Sequence, residues 1–228
     1  MWNLIPTLKE NMYTHQQEGF EFLWRNLGGG LIPEKIKPPT SEEVGGCVIS
    51  HAQGTGKTFL IIIFLRTYLE FFPRSKPLII APFNTLLPWE QEFKKWGVGI
   101  PVYMLNRSKT FWKEICSKDE YRDIVHMGKG GNFRGRRWKN MRRLIKFYEW
   151  HKRRSVLAIS YNLLVYLTCG GKHIPSQEAQ TVGKFRLESP GILILDEGHQ
   201  ARNNQSKIWK SLKKVKTKQC IILPGTLF

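Results

Sequence analysis

The chain has 228 residues and a mass of 26.6 kDa, enough for one large α/β domain or two small ones. Its 41% hydrophobic and 24% charged residues form an ordinary globular mix, which excludes wholesale disorder. Lys and Arg outnumber Asp and Glu 36 to 18, a net of +18, so polyanions are the expected partners, nucleic acid ahead of an acidic membrane surface.

The N-terminal residues lack the apolar segment of a signal peptide. Phe20, Leu23, Trp24 and Leu27 recur at helical spacing and stop at Gly28-Gly29-Gly30, which predicts a helix and its C-terminal end. A proline-containing loop over 31–45 leads to a short strand at Cys47-Val-Ile. The longest apolar run, Phe59 to Leu65, opens the next helix. It is far too short for a bilayer, which needs roughly 20 residues. Leu78-Ile-Ile-Ala reads as a strand, Leu86 to Trp96 as an amphipathic helix stopped by Gly97, and Val102 to Leu105 as a strand. Further strands are expected at Val156–Ser160, Ile192–Leu195 and Gln219–Leu223. This alternation predicts an α/β fold with a mostly parallel sheet and helices on both faces. Cys47, Cys116, Cys169 and Cys220 lie too far apart for a zinc site or a small disulfide framework. The expectation is a soluble, reduced, intracellular protein.

The charge is concentrated. Residues 107–154 hold 16 basic and 5 acidic side chains, a net of +11, and read as a basic insertion. Within it a glycine-rich loop carries Arg134, Arg136 and Arg137. It runs into a helix where Trp138, Met141, Ile145 and Tyr148 recur at helical spacing. Two readings stand for this stretch: a solvated helix face, or a phosphate-contacting surface with aromatic residues interleaved. A nuclear localisation signal is compatible with both.

Gly54-Thr55-Gly56-Lys57-Thr58 lies between a strand and a helix, where a phosphate-binding loop belongs. Glycines let backbone N–H groups converge on a phosphate, Lys57 would neutralise its oxygens, and the Thr58 hydroxyl would hold Mg²⁺. The strict eight-residue pattern is broken, because His51 stands at its first glycine. Asp196-Glu197 follows the most apolar strand, at the end where open α/β sheets bind ligands. There Asp196 would hold Mg²⁺ and Glu197 would activate the attacking water. Two motifs that both call for ATP and Mg²⁺ support each other.

Asp196-Glu-Gly-His199 resembles motif II of superfamily 2 helicases, and other motifs follow in that family's order. His15-Gln16-Gln-Glu-Gly resembles the Gln motif of Swi/Snf-type ATPases, which implies that Gln16 reads adenine. Leu78 through Pro82 to Trp96 resembles motif Ia, and Ala158–Tyr161 motif Ib or Ic; the resemblance places both, Pro82 included, against DNA. Pro224-Gly225-Thr226 resembles motif III, implying that His199, Gly225 and Thr226 couple the nucleotide and nucleic-acid sites. The chain is therefore identified as a RecA-like first lobe over 1–228, with the second lobe expected to be absent after Phe228. It is especially similar to the plant CLASSY-type remodellers. That likeness implies a nuclear DNA-dependent ATPase on duplex DNA and chromatin, acting in RNA-directed DNA methylation beside a plant RNA polymerase complex. Gln53 departs from the subfamily's proline. Pro224 and Leu227 depart from the usual Ser/Thr and Pro of motif III, and this leaves open a non-catalytic scaffold that holds DNA or a polymerase. A lone first lobe is expected to bind ATP weakly and to hydrolyse it slowly or not at all, for want of the second lobe's arginines.

Overall fold

The computed structural model describes residues 1–36, 45–106, 121, 136–169 and 190–225. Arg134 and Thr226, most of the basic loop, and residues 170–189 lie outside the described residues.

Six strands form one sheet: β1 Gly45–Val48, β2 Pro77–Ala81, β3 Val102–Met104, β4 Val156–Ser160, β5 Ile192–Asp196 and β6 Gln219–Leu223. Their spatial order is β1-β6-β5-β2-β4-β3, and every neighbouring pair is parallel. All six expected strands are present; β4 and β6 have the expected bounds, and the other four are shifted at one or both ends by one or two residues. Parallel strands are covered on both faces, so they read as unbroken apolar runs, and β2 and β4 are buried at every position.

The two faces have separate cores. Ile79, Ala81, Ala158, Ile194 and Ile221 point to one side, beneath α2 Thr14–Leu27, α3 Lys57–Phe71 and α4 Leu86–Lys95. A short helix, α1 Pro6–Glu10, precedes them. Trp24 is fully buried there, donates to Thr67 Oγ1 at 3.1 Å and meets Phe64 edge to face. Leu78, Ile80, Leu157, Ile159 and Leu193 point to the other side, toward α5 Arg136–Lys152, α6 Tyr161–Cys169 and α7 Lys207–Leu212. Among the described residues no helix is long and apolar enough to cross a membrane.

Helix α5 buries Ile145 and half-buries Met141, as the expected stripe requires, but departs from it at Tyr148. Tyr148, assigned to the apolar stripe, is exposed, whereas Phe147 and Trp150 are buried against the sheet. Trp150 donates its indole N–H to Pro77 O at 3.1 Å. The same buried surface carries Asn140, Arg143, Lys146 and Glu149, and this polar content hid the stripe. Glu149 accepts from Tyr121 Oη at 2.8 Å and pairs with Arg153 at 2.8 Å. Burial of charge is tolerated when such partners are supplied. The helix is thus a layer of the domain, packed on β3 and β4.

Lys146 donates to Met104 O at 2.6 Å, and burial pushes its ammonium down to about 8. The unfolded chain therefore holds more protons than the folded one between pH 8 and the ordinary lysine value. Stability contributed at this position rises with pH through that window. Denaturant titrations of wild type and Lys146→Met at pH 7.5 and pH 10 should show the difference moving in favour of wild type by ~1–3 kcal/mol. A difference that stays constant would count against the buried ammonium.

Candidate nucleotide site

Parallel strands place all their C-terminal ends on one edge, and three of these ends build the site. Strand β6 lies between β1 and β5, so the loop after β1 and the carboxylates after β5 flank it, about 10 Å apart by strand spacing. Register fixes the levels: Ile49 N–H bonds Ile222 O at 3.0 Å, and Asp196 stands opposite Leu223.

Gly54 and Gly56 take left-handed conformations, φ 80° and 79°, which an L side chain adopts only under strain. Gly56 caps α3, so the loop delivers Lys57 and Thr58 as the first two residues of that helix. A Cβ at Gly56 would also collide with the Gln16 amide. Lys57 Nζ folds inward and donates to His51 O at 2.7 Å and Ala52 O at 3.1 Å, while Thr55 Oγ1 donates to Ala52 O at 2.7 Å. The ammonium rests on loop carbonyls that phosphate oxygens would replace. A positive group inside a glycine cradle, at the N-terminus of a 15-residue helix, suits a phosphate.

Gln16 is buried beneath this loop. Its Nε2 donates to Thr55 O at 2.9 Å, and its Oε1 accepts from Tyr13 N–H at 3.0 Å. In this geometry the amide braces the loop against the start of α2. His15, the residue before Gln16 in the Gln motif, also touches the loop, with Nε2 3.1 Å from Thr55 O and its ring edge-on to His51. Desolvation lowers the His51 pKa, with His15 and Lys57 adding to the effect, so His51 favours the neutral form beside the loop.

Across the edge, Asp196 and Glu197 are half-buried at the end of β5. Asp196 Oδ2 accepts from the Trp89 indole N–H at 2.9 Å, and its main-chain oxygen accepts from Tyr161 Oη at 2.8 Å. Neither partner was recognised as a site residue from the sequence. Trp89 fell within the amphipathic helix of the motif Ia stretch, and Tyr161 within a DNA-facing element. Glu197, at φ 52°, is the one non-glycine with positive φ among the described residues. Its Oε2 lies 3.3 Å from His199 Nδ1. A Cβ at Gly225 would overlap Glu197 Oε2 and come within 2.8 Å of the His199 ring, so the end of β6 lies directly against both side chains.

Among the described residues no group of three or more His, Cys, Asp or Glu forms a protein-only metal cage. Mg²⁺ is commonly held by one or two carboxylates together with substrate phosphates, and Asp196 with Thr58 offers that donor chemistry. Pro82 follows β2 at the same edge, half-buried, ahead of exposed Phe83. Arg136 and Arg137 open α5.

The all-parallel sheet, the glycine loop capping α3 and the carboxylates at the end of β5 define a RecA-like P-loop domain. More narrowly, the chain belongs to the SNF2-related domain family, whose profile matches residues 15–226. It is 43% identical over 240 residues to SNF2 domain-containing protein CLASSY 3 of Arabidopsis thaliana, covering 100% of this chain and 16% of that protein. CLASSY 4 of the same plant is 40% identical, with 100% and 19% covered. Human transcriptional regulator ATRX is 26% identical over 98% of this chain and 8% of its own length. The fold resembles the Sulfolobus solfataricus SWI2/SNF2 ATPase core in complex with dsDNA, with a TM-score of 0.53 at 17% identity. That match covers 94% of this chain and 32% of the other. The chain spans only 16–19% of the two CLASSY proteins compared.

Proposed function

We propose that this domain is the ATP-binding lobe of a nuclear, DNA-dependent ATPase of the chromatin-remodeller type. The observation that carries the reading is one sheet edge holding the Lys57 loop, the Asp196–Glu197 pair and Gly225 between them. In this reading Gly54 to Thr58 bind the phosphates of ATP, and Thr58 with Asp196 hold Mg²⁺, which supplies charge neutralisation at the phosphates. Glu197 orients and deprotonates the attacking water, and His199, Gly225 and Thr226 couple the nucleotide and nucleic-acid sites. Gln16 holds the loop from beneath and is assigned the adenine edge of ATP. The 40–43% identity to CLASSY proteins supports a role in RNA-directed DNA methylation on duplex DNA, beside a plant RNA polymerase complex. A second reading, a non-catalytic scaffold, draws on Pro224, which stands where motif III usually has a hydroxyl.

Calorimetric titration of the chain with MgATP tests the first reading, because a folded chain that binds none favours the scaffold. Contact with DNA is assigned to the basic stretch, including Arg134, Arg136 and Arg137. Replacing all three with Ala should flatten the slope of log affinity against log salt by about 2–3, close to one unit for each phosphate no longer neutralised. An unchanged slope would move the DNA surface elsewhere.

A further inference from the structure

We propose that Trp89 is a positioning residue for the metal-holding carboxylate: its indole N–H fixes the rotamer of Asp196 and ties helix α4 to the nucleotide site. The inference rests on the nucleotide-site reading above and adds a residue to it. Trp89 is almost fully buried on α4, with its ring tilted against Phe93 at 6.3 Å. A buried indole N–H needs an acceptor, and two other buried tryptophans find uncharged ones, Trp24 on Thr67 and Trp150 on Pro77 O. Trp89 alone of these three is aimed at a carboxylate; the half-buried Trp2 and Trp96 also donate to carboxylates, Glu21 and Glu92, but only the acceptor of Trp89 is the candidate Mg²⁺ ligand.

The consequence for Asp196 is geometric. It is half-buried at the rim of the sheet, where water would satisfy it and leave its side chain to rotate. The bond at 2.9 Å engages Oδ2, so Oδ1 would be the oxygen offered to a metal or its bound water. The Tyr161 hydroxyl holds the main chain of the same residue at 2.8 Å, from a side chain that is itself buried. Asp196 is thus clamped twice, by α4 after β2 and by α6 after β4. A displacement of α4 reaches the carboxylate through one rigid ring, and α4 begins beside the exposed side chains of Phe83 and Leu87.

The test separates metal from nucleotide in the folded chain. ATP affinity is measured in EDTA, and the Mg²⁺ concentration that half-saturates the tighter complex is measured separately, for wild type and Trp89→Phe. Trp89→Phe should raise the Mg²⁺ requirement about 10–100-fold, the usual cost of losing a hydrogen bond to a metal ligand. ATP affinity in EDTA should stay unchanged. An unchanged Mg²⁺ requirement, or an equal loss in EDTA and in Mg²⁺, overturns the inference. Should Trp89→Phe fail to fold, the wild-type indole N–H resonance, assigned through its contact with the Phe93 ring, gives the answer. It should resist solvent exchange and shift as Mg²⁺ saturates the ATP complex; a resonance that ignores Mg²⁺ overturns the proposal. A wild-type chain that binds ATP under neither condition overturns the nucleotide-site reading itself, and the Trp89 role with it.

Discussion

Lys57→Ala is expected to weaken MgATP binding by roughly 100–1,000-fold while leaving the fold intact. The ammonium already lies inside the loop, on the carbonyls of His51 and Ala52 at 2.7 and 3.1 Å. Binding exchanges two neutral acceptors for charged phosphate oxygens, and a hydrogen bond involving a charged group contributes about 1.5–3 kcal/mol. Two such bonds, less the loop bonds given up, account for the predicted loss. Stability should change by less than about 1 kcal/mol, because the lysine is half-buried and the Ala52 carbonyl it releases belongs to an exposed residue that water can reach. Calorimetry on both proteins, with thermal melts as the control, measures the two quantities together. Retained affinity within threefold would show that the phosphates do not sit over this loop.

How legible this molecule was in its sequence depends on what each segment does with its polar groups. The strands were read correctly because burial on both faces leaves nothing polar to confuse the run, as in Ile192–Leu195. Helix α2 was read from four apolar positions, and all four are buried. Helix α5 was read only in part, with Ile145 placed correctly and Tyr148 not, because its contact surface includes Lys146 and Glu149, whose partners come from β3 and from Tyr121. Those partners are far away in sequence, so periodicity alone could not show that the charges were satisfied. Helix α6 was not anticipated, although Leu163, Leu164 and Leu167 lie at helical spacing and are buried. The glycine loop and the Asp196–Glu197 pair were legible because their chemistry demands particular residue types at short spacing. The supports of the site were not. Trp89 reaches Asp196 across 107 residues, and Gln16 reaches Thr55 across 39. Only the folded chain brings them together.

The same distinction predicts a second large effect, at a residue with no functional group. Gly225→Ala should leave MgATP affinity within about threefold and lower DNA-stimulated hydrolysis by about 100-fold in the full-length protein. The added methyl would occupy the space now held by Glu197 Oε2 and crowd His199. The three atoms nearest the methyl all belong to Glu197 and His199, so the change is aimed at the carboxylate and not at the phosphate-binding loop. Glu197 has little freedom to adapt. Its backbone is left-handed at φ 52° and ψ 46°, its carbonyl accepts from Gln200 N–H at 3.0 Å, and its carboxylate faces His199. A non-glycine residue held in that region costs about 1–3 kcal/mol and persists only where its surroundings over-determine it. Displacing a water-activating carboxylate by about 1 Å is enough for a loss of order 100-fold. Affinity and turnover measured on the same preparations distinguish the outcomes: Lys57→Ala should lose binding, and Gly225→Ala should keep binding and lose turnover. Full turnover in Gly225→Ala would remove Glu197 from the water-activating role and leave Asp196 as the carboxylate on which the chemistry rests.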